Sequence, residues 1–188
     1  AHLEKFLGDL QKPRVDWKAL LRRFIQDATK NDYNWRQPNR RFLAAGLYLP
    51  RLYSEEVGPI VVAQDTSGSM WSDQDLRTCA TELRSIIEDC QPRSTTLYYA
   101  DAAVADSRVF ERGEPFEFAP KGGGGTSCAP VFKAVEDSGE EPLCLIYFTE
   151  LQGEFPKEAP PYPVIWLTVY DGTAPFGEVL KIDTILEG

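Results

Sequence analysis

The fold class predicted by the sequence is α/β: three layers, α/β/α, around an open, mostly parallel sheet of about six strands, with an N-terminal helical extension. Two observations carry this prediction. The runs "PLCLIYFTE" (142–150) and "PVIWLTVY" (163–170) are apolar with almost no charge, the pattern of central strands buried on both faces. Such runs alternate with stretches of helical spacing, as crossovers between parallel strands require. Ligands of a sheet of this kind bind outside the carboxyl ends of its strands.

Taken in order, "DWKALLRRFIQDATK" (16–30) places Trp17, Leu20, Leu21, Phe24 and Ile25 at helical spacing with Asp16 as a cap. The following "NDYNWRQPNRR" reads as an irregular connection, and "FLAAGLYL" (42–49) as a strand or a loop packed on the body. The main domain is expected over 58–188, with 1–57 as the extension. A buried strand at 60–65 leads into a helix at 72–90, whose Leu76, Cys79, Ala80, Leu83, Ile86, Ile87 and Cys90 make one apolar side. "STTLYYADAAV" (94–104) reads as a strand and "SRVFERGE" (107–114) as a short partner strand. A second helix begins after Thr126 with Val131, Phe132 and Val135, and "GEVLKID" (177–183) supplies the last strand.

Composition narrows the function classes. At 188 residues and 43% hydrophobic, the chain can bury one substantial core. No stretch approaches the roughly 18 apolar residues of a membrane span, and the amino end lacks a signal-peptide core, so a cytoplasmic location is expected. Cys79, Cys90, Cys128 and Cys144 show no metal-site spacing and are expected as free, mostly buried thiols. The net charge of −9 is unevenly spread: residues 1–53 hold eleven Lys or Arg against five Asp or Glu (+6), the rest nine against twenty-four (−15). Arg22, Arg23, Arg36, Arg40, Arg41 and Arg51 could contact phosphates, but the acidic body would repel a nucleic acid, and a solvated or packing role fits them better.

The polar residues worth attention fall at the expected carboxyl edge. In "VVAQDTSGSMWSDQDL" the buried run ends on Asp65, with Ser67 and Ser69 following; "GGGGT" (122–126) precedes a helix; Thr149 and Glu150 close another strand. Carboxylate, hydroxyl and water oxygens suit Mg²⁺ or Mn²⁺, which are hard cations. The same residues admit blander readings: Asp65 and the serines as a helix cap, the glycines as a linker. A nucleotide cradle is disfavoured, because Lys121 precedes the glycines and GxxxxGK[ST] is absent. Catalysis finds little support. The single histidine, His2, lies in an unpatterned terminus, no GxSxG elbow supplies a serine nucleophile, and no HExxH supplies zinc ligands.

"DTSGSM" resembles the DxSxS signature of von Willebrand factor A-type (VWA) domains and their metal-ion-dependent adhesion site; "GGGGT" is similar to the second loop and "YFTELQGEFP" to the third. More narrowly, "SEEVGPIVVAQDTSGSM", "YYADAAV", "KGGGGT" and "IYFTELQGEFP" resemble the VWA-like carboxyl-terminal domain of bacterial proteins with a metallopeptidase-like amino-terminal half. The resemblance covers residues 58–183. It implies Asp65 as the first-loop carboxylate, Ser67 and Ser69 as hydroxyl ligands, Thr126 as the second-loop hydroxyl and Glu150 in the third-loop aspartate position. There the chain departs from the pattern: Glu150 is one methylene longer, and Leu151 replaces the usual glycine. Asp101 is a candidate second-layer partner.

The function this implies is a protein-interaction module in which a bound Mg²⁺ or Mn²⁺ recognises an exposed Asp or Glu of a partner. A metallopeptidase-like domain of the parent chain and a MoxR-type AAA+ ATPase are the partners suggested by the resemblance. The alternatives are a structural or regulatory domain without functional metal binding and a metal-dependent phosphate-ester hydrolase.

Overall fold

The computed structural model describes residues 16–35, 57–65, 73–100, 103–117 and 127–182. Strands β1 (Ile60–Asp65), β2 (Ser94–Ala100), β3 (Val104–Glu111), β4 (Cys144–Phe148), β5 (Val164–Thr168) and β6 (Glu178–Lys181) form one six-stranded sheet in the order β3-β2-β1-β4-β5-β6. Only β3 runs antiparallel to its neighbour; every other pair is parallel. Helices α1 (Trp17–Trp35), α2 (Asp73–Cys90) and α3 (Ala129–Ser138) complete the described elements. Among the described residues no helix is long and apolar enough to cross a membrane.

Alternation along each strand builds the three layers. Successive side chains point to opposite faces of a sheet, so a strand buried on both faces feeds two cores. On β1, Ile60 and Val62 join Leu21, Ile25, Leu83 and Ile86 of α1 and α2, while Val61 and Ala63 join Val131, Phe132 and Val135 of α3. The α3 side is aromatic. Trp166 is fully buried there; its ring lies 5.3 Å from that of Tyr147 and 5.2 Å from that of Phe155, and its Nε1 donates to the Phe176 carbonyl at 2.7 Å.

The N-terminal helix is capped and docked as its sequence requires. Oδ1 of Asp16 accepts from the backbone N–H groups of Lys18 and Ala19 at 3.1 and 3.2 Å, satisfying donors that a first helical turn leaves open. Leu21, Ile25 and Ala28 are buried, and Lys18 and Arg22 pair with Glu82 and Asp89 of α2. The helix continues through Asn31–Trp35, where an irregular connection was expected. Asparagine and aspartate have poor helix propensity but do not stop a helix already docked by its preceding turns, and the next proline after the helix start comes only at Pro38. The segment 42–49 lies outside the described residues.

A second difference concerns β2 and β3. One strand was expected over 94–104, but β2 ends at Ala100 and β3 begins at Val104, with a register shift at Tyr99/Ala100. β3 is an edge strand whose only fully buried side chain is Phe110, so it lacks the apolar run that would mark it. Its charged Asp106, Arg108 and Glu111 suit an edge that must not recruit further strands. None of the four cysteines forms a disulfide, and Cys79, Cys128 and Cys144 are buried, as expected.

Gly177 closes the turn into β6 at φ +77, where an added Cβ would stand 2.5 Å from the Val164 carbonyl oxygen and 3.0 Å from Trp166 Nε1. Gly177→Ala should destabilise the protein by about 2–3 kcal/mol, combining left-handed strain with the clash. Gly113, at φ +79 with nothing within 4 Å, is the control. Its alanine variant should lose only about 1 kcal/mol from backbone strain. Urea unfolding of both variants measures the difference; equal losses would show that the Gly177 contact does not matter.

Candidate functional site

β1 pairs with β2 on one side and β4 on the other, so the chain's strand order reverses at its carboxyl end. That reversal opens a crevice in sheets of this kind. Asp65 is the last residue of β1 and is half-buried. Because Gln64 stands opposite Phe148 in the parallel β1/β4 ladder, the next residues, Asp65 and Thr149, emerge side by side. The Thr149 hydroxyl donates to Oδ2 of Asp65 at 3.3 Å and accepts the Leu151 N–H at 3.2 Å. Thr149 itself is buried, and its backbone N–H donates to the Leu167 carbonyl at 3.0 Å.

A second connection joins the loops. Ser127 bridges to Glu154, and the Cys128 N–H donates to the Glu154 carbonyl at 2.9 Å. The residues leading into α3 are thereby stitched to the loop after β4. Leu151 adopts φ +60, a left-handed conformation that glycine tolerates without cost. Here a leucine adopts it, and its side chain packs against the α3-side core.

The electrostatics separate the two described carboxylates. Burial, reinforced by the Asp65 charge, pushes the Cys128 thiol up to about 11, with the polar hydroxyls of Thr149 and Tyr147 acting in the opposite sense. Tyr147 is driven well upward by burial and by Cys128 and Asp65. Glu150 is felt elsewhere: its charge adds to burial in raising the Tyr170 hydroxyl beyond the end of β5. Its Oε1 is shielded from solvent.

Of the residues expected at the site, Asp65 and Glu150 are described, at the carboxyl ends of adjacent strands β1 and β4. Ser67, Ser69, Thr126 and Asp101 lie outside the described residues. Among the described residues no group of three or more His, Cys, Asp or Glu side chains is placed to hold a metal ion. The donors that do meet, a carboxylate and a hydroxyl, are hard oxygens that fit Mg²⁺ or Mn²⁺ in kind. Two participants carried no functional assignment from sequence: Thr149, whose contact with Asp65 depends on lateral register, and Cys128, whose only signal was its place two residues after Thr126.

Comparison with known proteins gives two family matches. Residues 60–183 match the family described as "VWA-like domain", and residues 1–53 match the one described as "Putative metallopeptidase domain". A protein of Thermotoga maritima, named only "Uncharacterized protein", is 31% identical over 124 residues, which are 65% of this chain and 30% of that protein. The matched region thus spans under a third of that relative's length. No solved structure matches the chain.

A raised thiol value makes the protonated form the one the fold prefers. The Cys128 contribution to stability is therefore complete below its ordinary value of 9.0 and is lost as pH rises through about 11. Urea unfolding at pH 8 and pH 10.5 should show a loss of stability at the higher pH that is smaller in Cys128→Ala. Some loss should remain, since burial also raises Tyr162, to about 12. An identical loss in both proteins would remove Cys128 from the account.

Proposed function

The chain belongs to the VWA-like domain family, and on that premise we propose that it is a non-catalytic regulatory and protein-interaction module serving the metallopeptidase-like part of its own parent chain. The observation that carries this reading is the seam between α1 and the body. α1 lies within the stretch matching the metallopeptidase family, yet Leu21, Ile25 and Ala28 are buried in the same core cluster as β1, α2 and β4. A body that shares its core with a neighbouring segment can hold that segment in place and sense its displacement. The surface pairs of Lys18 and Arg22 set direction more than strength, each contributing under about 1 kcal/mol.

The seam is testable in the complete parent chain by hydrogen exchange. Ile25→Ala should cost about 2–5 kcal/mol of local stability and speed exchange throughout α1, whereas Lys18→Ala should change it by less than 1 kcal/mol. If α1 in the unaltered protein exchanges as fast as an unstructured peptide, the regulatory seam does not exist.

A second reading is supported by the position of Asp65 at the strand-order reversal with Thr149 against it. In this reading Asp65, Ser67, Ser69 and Thr126 hold Mg²⁺ or Mn²⁺, with Glu150 contributing from the third loop, and the cation recognises an acidic residue of a protein partner. The bound cation would supply a positive centre for that carboxylate, and the chain's own residues would fix its place. Calorimetry should detect weak Mn²⁺ binding that Asp65→Ala and Ser67→Ala abolish. Absence of binding at millimolar Mn²⁺ or Mg²⁺ in chelator-free buffer would remove the cation and leave the metal-free regulatory role. A MoxR-type ATPase remains a partner suggested by family likeness alone, and no hydrolytic step on a phosphate ester is assigned to these residues.

A further inference from the structure

We propose that Thr149 is a positioning residue for the first-loop carboxylate: one hydroxyl ties Oδ2 of Asp65 to the left-handed turn at Leu151, so the ends of β1 and β4 act as a unit. A threonine hydroxyl has a single proton to donate. Here the Leu151 N–H occupies a lone pair of Oγ1, and Asp65, an acceptor when ionised, receives the proton in preference to the neighbouring Cys128 sulfur, which is a weak acceptor while protonated. Thr149 is only 1% exposed, so water competes poorly for either bond. Its backbone is fixed independently by donation to the Leu167 carbonyl.

The turn that completes the clamp is itself confined. Leu151 stands at φ +60, and a Cβ placed on Gly172 would lie 2.9 Å from Leu151 Cδ1, so the neighbouring chain is packed closely against this side chain. Rotation of the Asp65 carboxylate therefore requires breaking a bond to a hydroxyl whose other partner sits in a turn with little room to follow. The consequence for cation binding rests on the second reading above, whereas the clamp is a property of the metal-free protein.

The experiment uses the full chain with Thr149→Val, which keeps the branched shape and removes the hydroxyl, and Thr149→Ser, which restores it. In chelator-treated protein the Asp65 carboxylate carbon resonance should move and Leu151 amide exchange should accelerate in the valine variant, and both should return towards the original in the serine variant. Mn²⁺ affinity should fall about tenfold in the valine variant and recover in the serine variant, the scale of effect seen when a partner that orients a ligand is removed. Unchanged Asp65 and Leu151 signals in Thr149→Val would overturn the clamp. So would full Mn²⁺ affinity in that variant. If the unaltered protein shows no Mn²⁺ binding while the resonance and exchange effects appear, the cation reading fails and the clamp stands. Should the valine variant not fold, the unaltered protein decides: a slowly exchanging Thr149 hydroxyl proton supports the clamp, and its absence overturns it.

Discussion

Everything at the candidate site depends on β1 being hydrogen-bonded in parallel on both sides. A strand in that position has no free edge and no solvated face, so Ile60–Ala63 must be apolar and the first polar side chains appear only where the ladders end. The two ladders also fix which residues become neighbours. With Gln64 opposite Phe148 and Asp65 opposite Ala100, the end of β1 is placed laterally by partners from distant parts of the chain. A slip of one residue in the β4 ladder would turn Thr149 to the opposite face from Asp65. The register that fills both cores is thus the register that brings carboxylate and hydroxyl together.

The two faces of the sheet divide the labour. On one, α1 and α2 close a mostly aliphatic core that includes part of the metallopeptidase-like stretch. On the other, α3 covers an aromatic group centred on Trp166, above which lie Cys128, Tyr147, Thr149 and Asp65. Among the described residues α1 packs on α2 and the sheet, whereas the loop after β4 is tied directly to the start of α3. These connections make the third loop, more than the helix seam, the close mechanical neighbour of Asp65.

Much of this architecture is legible in the chain itself, for reasons that also explain what was not. β4 and β5 stand out because burial on both faces excludes charge from "CLIYF" and "VIWLT". Asp65 stands out because a buried run ends abruptly on a carboxylate. The turn between β2 and β3 was hidden because an edge strand alternates polar and apolar side chains weakly and no glycine or proline marks the reversal. The last turn of α1 was hidden because local propensity opposes a helix that tertiary packing has already fixed. Thr149 could be read as polar, but not as the partner of Asp65, since their pairing spans 84 residues and is decided by register. Ser67, Ser69, Thr126 and Asp101 carry a pattern in the sequence without a described geometry to set beside it.

The same span has a consequence for biosynthesis. β1 leaves the ribosome long before β4, and at about 5–20 residues per second the interval is on the order of ten seconds. During that time β2 can complete one ladder, and β2 and β3 can form their local antiparallel pair, but the other edge of β1 has no partner. An apolar segment of the nascent chain thus waits with a row of open amide and carbonyl groups, a template for wrong pairing. A holdase that shields extended apolar chain should therefore bind before β4 emerges, and synonymous codon changes that slow translation between Cys90 and Cys144 should lengthen this vulnerable period.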